Sequence, residues 1–101
     1  MLTGRAAAID EIREDRLDSD SGTPLPVVNA CQRAAAEAAQ TYGALMVEAA
    51  SAGRVKASGG GGVIAPVNLR ITYALSTGGT QVRQAEVSCT VNGNGQVTGL
   101  A

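Results

Sequence analysis

The chain contains no histidine, no tryptophan and no phenylalanine, and only two tyrosines and two cysteines among 101 residues. Each scarcity excludes something. Without histidine, a cysteine nucleophile lacks its usual general base, and the commonest zinc ligand is missing. Two distant cysteines do not make a zinc site, and no C-x-x-C pair is present for redox exchange. Two aromatic rings are too few for a base-stacking platform. A net charge of −1 provides no general attraction to nucleic acid or anionic membrane. No apolar run approaches the roughly 20 residues of a membrane span. Met1 to Gly4 leads straight into polar sequence, so an export signal, if the protein is exported, is expected to have been removed already.

What is present is alanine, glycine and β-branched residues. A chain of this length has material for one core. Hydrophobic residues reach 45%, but many are alanines that bury little surface. At about 25 cal/mol per Å² such a core gives a small stabilising term against chain entropy, so a covalent staple would matter.

The organisation divides near residue 22. Residues 5–20 gather Arg5, Arg13 and Arg16 with Asp10, Glu11, Glu14, Asp15, Asp18 and Asp20. Ala6, Ile9, Ile12 and Leu17 fall near helical spacing there, which predicts a short amphipathic helix; the alternative is a frayed polar tail. Ser19 to Pro26 reads as a linker. Residues 1–22 are thus a charged arm with its linker, and residues 23–101 a single domain. The DSDSG stretch invites a calcium reading, but counting from Asp18 the twelfth position is Asn29, where a calcium loop needs a carboxylate.

The domain should open with one long helix, from Thr23 or Pro24 to Ala52. Thr23 would cap it, Pro24 would occupy its first position and Gly53 would end it. Cys31, Ala35, Ala38, Tyr42, Leu45 and Ala49 form its apolar stripe, widened by Val28 and Met46. That stripe reads as a core face rather than a coiled-coil seam. Gly43 within it would allow a bend or a close approach to a sheet.

Beyond Gly53 the period becomes that of strands. Residues 54–58 form a short candidate strand, and Gly59 to Gly62 a glycine-rich connection without the lysine and hydroxyl of a phosphate loop. Val67, Leu69, Ile71, Tyr73 and Leu75 alternate with Asn68, Arg70, Thr72 and Ser76. After a glycine hairpin at 76–80, Ala85, Val87, Cys89 and Val91 share an inner face. Val82 has the wrong parity for that face, which implies either a bulge or exposure. Asn92 to Gly95 turns the chain once more into a last strand. The expected fold is α+β: a short N-terminal helix, then one long helix packed on a curled antiparallel sheet of about four strands.

If the helix packs on the sheet, Cys31 and Cys89 point into the same layer. Joined, they would close a loop of about 59 residues, worth roughly 4 kcal/mol on the chain-entropy model, and imply an oxidising compartment. Unjoined, they would be two small buried hydrophobes. No catalytic constellation is legible: Glu37 and Glu48 lie on the polar side of the expected helix and do not converge.

The segments VNACQRAAAEAAQTYG and VSCTVNGNGQV together resemble a group of small exported alphaproteobacterial proteins. The resemblance runs over roughly residues 28–100 and rests on Cys31, Tyr42, Gly43, Cys89, Val91 and Val97. It departs at Asn92 to Gly95, one residue longer than the group's turn, and in lacking an arginine- and aromatic-rich central hairpin. What it implies is export and a disulfide, with no activity.

The expectation from sequence is therefore a non-enzymatic, disulfide-stapled binding or structural module of the periplasm or envelope, with no cofactor, no nucleic acid and no membrane span. The alternative is a cytosolic regulatory or assembly subunit with reduced cysteines. A pilin-like subunit is a third reading, weakened by the absence of a hydrophobic N-terminal half-helix. Two partner surfaces are expected: the arm, through Ile9, Ile12, Arg13 and Arg16, and the sheet edge at Arg54 and Lys56. The partner would be another protein or a second copy, through an exchanged arm or an added strand.

Overall fold

The computed structural model describes residues 17–101. The helix expected before residue 17, with Ile9, Ile12, Arg13 and Arg16, lies outside them. The described chain is α+β: helix α1 (Leu25–Gln40), then strands β1 (Ala44–Ser51), β2 (Lys56–Gly59), β3 (Gly62–Ala74), β4 (Thr80–Val91) and β5 (Val97–Leu100). The strands form one open antiparallel sheet in the order β1-β3-β4-β5, with β2 pairing β3 beyond the end of β1.

Two expectations need correction. The helix ends at Gln40, not Ala52, and the sheet has five strands rather than four. Ala44–Ser51 is made of good helix formers, and its Leu45 and Ala49 keep a four-residue step that mimics helix. Tertiary context overrides that preference. The reversal is made at Gly43, whose φ of +85° is a conformation L side chains rarely adopt. Tyr42 N–H and Gly43 N–H donate to the carbonyls of Ala39 and Gln40 at 3.0 and 3.1 Å, closing the last turn. The chain then runs back along β3, with Val47 opposite Ile71 and Ala49 opposite Leu69.

The helix start also differs. Pro24 is the N-cap and contributes no side-chain bond, while Thr23 is turned toward the sheet. Thr23 Oγ1 donates to Gly53 O at 2.8 Å, and Thr23 N–H donates to Ser51 Oγ at 2.9 Å. Gly53 therefore lies just beyond β1 and anchors this clasp rather than stopping a helix. Asp20 N–H donates to Ser51 O at 2.8 Å, and Asn68 Nδ2 donates to Asp18 O at 2.9 Å. The segment read as a linker is thus strapped to the sheet.

Gly22 lies within this strap, against the Gly53–Arg54 backbone, with φ +134°, where an added Cβ would lie 2.6 Å from Arg54 N and Gly53 C. Gly22→Ala is expected to cost about 2 kcal/mol, limited by the cost of releasing the strap. Amide exchange would show protection lost at Asp20 and Thr23, with the β3 core amides unchanged. Thr23→Val removes the buried donor to Gly53 O and should lower stability by about 1 kcal/mol in urea unfolding.

One face of the sheet carries the core. Val47, Ala65, Val67, Leu69, Cys89 and Val91 are buried there against Cys31, Ala35 and Ala39 of the helix. The small side chains at Ala35, Ala39 and Ala65 let helix and sheet approach closely, which compensates in packing for the missing large aromatics. The opposite face is more polar, as expected for a one-sided antiparallel sheet. It carries Asn68, Thr72, Gln84 and Glu86, and the pair Arg70 Nη1 to Glu48 Oε1 at 2.7 Å. Val82 lies on this face opposite Thr72. The register from Val63/Val91 to Ala74/Thr80 has no shift, so no bulge explains its parity.

Candidate protein-binding surface

The one covalent feature is the disulfide Cys31–Cys89. Both residues are wholly buried, the Cα atoms are 6.2 Å apart, and the bond joins the helix to the inner face of β4. Of the two arrangements open in the sequence, the structure shows the staple. Neither sulfur is available as a nucleophile or ligand.

Of the six exposed large apolar side chains among the described residues, four share one end, while Leu25 at the start of α1 and Ile64 on β3 lie elsewhere. Tyr42 is 78% exposed, Leu45 64%, Met46 52% and Leu75 42%. All four sit at the end of the molecule where α1 meets β1 and where β3 turns into β4. Tyr73 joins Tyr42 there, so the chain's only two aromatic rings line one groove. This groove is about 380 Å³ and is lined by Tyr42, Tyr73, Ala74, Leu75, Gln81 and Arg83. A second hollow of about 250 Å³ lies between the helix end and Leu45, Met46 and Val47. Exposed tyrosine, methionine and arginine are the residue types enriched where proteins bind proteins. Sequence periodicity put Tyr42 and Leu45 on the helix core stripe and so missed this grouping. The signal that separates them from the core is Gly43.

The sheet edges differ in the same way. The outer edge of β1 is occupied: Gln32 Nε2 donates to Val47 O at 2.9 Å, and Asp20 takes Ser51 O. β2 is short and its pairing is interrupted between Ala57 and Gly59. The sequence-expected edge residues Arg54 and Lys56 are exposed beside and within it. On the other side, β5 pairs only with Cys89–Val91, extended by reciprocal bonds between Ser88 and Ala101 at 3.0 Å. On its outer side, from Thr80 to Val87, β4 has no strand beside it among the described residues. This edge ends at the Tyr42–Tyr73 groove, with Gln81 and Arg83 belonging to both. Among the described residues, no carboxylate pairs with Arg83.

Comparison of the chain with protein-family models, with curated proteins and with solved structures finds no match. Among the described residues, no helix is long and apolar enough to cross a membrane.

Proposed function

We propose that the protein is a non-enzymatic, disulfide-stapled binding or structural module of an oxidising compartment, the bacterial periplasm or cell envelope. The observation that carries this reading is the buried Cys31–Cys89 bond, since stable structural disulfides belong to oxidising compartments. The resemblance to small exported proteins points the same way. Binding rather than catalysis is supported by the chemistry of the chain. It has no histidine, its two sulfurs are bonded to each other, and four of the six exposed large apolar side chains among its described residues collect at one end beside an open strand edge.

The test is to locate the protein in the organism that makes it and to trap its thiols during lysis. The reading requires digestion by protease once the outer membrane alone is permeabilised, and thiols that resist alkylation until reduced. A protease-shielded protein whose cysteines alkylate at once would replace this reading with that of a cytosolic subunit.

A further inference from the structure

We propose that the outer edge of β4, Thr80 to Val87, takes up an extended segment of a partner protein as an added antiparallel strand. That segment carries a carboxylate opposite Arg83 and, two residues later, an apolar side chain opposite Gln81 that enters the Tyr42–Tyr73–Leu75 groove. The proposal rests on the reading of the protein as a binding module and names the partner's chemistry.

The backbone sets the register. Ser88 exchanges both of its backbone hydrogen bonds with Ala101, so its N–H and C=O point away from β3. Strand alternation turns those of Val82 and Glu86 to the same side, where no described residue meets them. An incoming strand would bond to these groups. Arg83 would then occupy a non-hydrogen-bonded position, where opposing side chains come closest, and an opposing carboxylate would reach its guanidinium. Antiparallel direction places the residue two further along the partner opposite Gln81, which lines the groove with Tyr73 and Leu75. The partner's sequence therefore reads carboxylate, any residue, apolar. Glu86, on the other face, favours a cation three residues before the carboxylate.

The occupant is not a second copy of β4. In any two-fold antiparallel self-pairing, Arg83 meets only side chains of its own face: Gln81, Arg83, Ala85 or Val87. None is a carboxylate, because Glu86 lies on the opposite face. Nor is the edge blunted as natural edges usually are. It has no proline and no bulge, and no hydrogen bond among the described residues covers the outward groups of Val82 and Glu86 as Gln32 covers Val47 of β1.

The probe is the end-blocked synthetic peptide Thr-Lys-Thr-Val-Glu-Val-Phe-Thr, with a control in which its Glu is replaced by Lys. Fluorescence anisotropy with the oxidised full chain should show the Glu peptide binding at least tenfold more tightly than the control. Arg83→Glu should reverse that preference. Val82→Pro removes an outward N–H that β3 does not use, and should abolish binding while leaving circular dichroism and the unfolding midpoint nearly unchanged. Amide exchange should slow at Val82 and Glu86 when the peptide is bound. Equal, weak binding of both peptides, or binding untouched by Val82→Pro, overturns the proposal. A dimer in sedimentation that Val82→Pro dissolves also overturns it, by giving the edge to a second copy, while leaving the binding reading standing. Free alkylation of both cysteines in the native host would instead remove that reading, whatever the peptide does.

Discussion

Replacing Cys31 and Cys89 together by alanine is expected to lower the free energy of unfolding by about 4 kcal/mol. The bond joins residues separated by 58 positions, so nearly six-tenths of the chain lies within the loop it closes. Its main effect on the chain-entropy model is on the unfolded chain, which gains the freedom that the link denied it. A smaller further cost acts in the folded state, since both sulfurs are wholly buried and their loss leaves space between α1 and β4. A domain of this size has a total stability of roughly 5–10 kcal/mol, so about half would be lost. Urea unfolding checks this in two ways. The midpoint should fall, and the slope should steepen, because an unlinked unfolded chain exposes more surface. Reduction of the unaltered protein should produce most of this shift, without the part that comes from lost side-chain volume. An unchanged midpoint would show that Ala-rich packing alone holds helix to sheet.

Leu69→Ala should cost about 2–4 kcal/mol, the largest loss expected from a single aliphatic truncation here. Leu69 is 4% exposed and lies on β3, the strand paired on both sides. Its cross-strand neighbours are Ala49 and Ala85, too short to move into the vacated volume. The cavity would therefore persist and its cost would not be relieved. Val82→Ala, on the opposite face and only partly buried, is the contrast: its effect should stay within about 0.5 kcal/mol. Thermal unfolding of the two variants side by side measures the difference. Similar losses would mean that the second face is covered as thoroughly as the first.

The legible parts of this fold are those where local pattern and tertiary role agree. β3 and β4 were readable because Val67, Leu69, Cys89 and Val91 alternate with polar residues on a sheet covered on one side. The disulfide was readable as one of two arrangements because both sulfurs fall on apolar faces. β1 was not readable. Alanine, leucine, methionine and glutamate favour helix, and only the pairing of Val47 and Ala49 with β3 makes the segment a strand. That error hid the exposed apolar end, because it assigned exposed Tyr42 and Leu45 to a core stripe. The open edge of β4 was hidden for a different reason. An edge is a property of strand order, and nothing within Thr80 to Val87 says that β5 stops short of it. The strap from Asp18 to Thr23 looked like a linker because its bonds run to Ser51, Gly53 and Asn68, far away in sequence.

The central claim is that a covalent bond between Cys31 and Cys89 holds this module together where it works. The direct measurement is intact mass after trapping with an alkylating agent under denaturing conditions, with and without reductant, on protein taken from its native host. The account predicts a monomeric mass with no alkyl groups before reduction and two after it. Two alkyl groups before reduction would contradict it, and would return the protein to the cytosol with two cysteines that only fill the core.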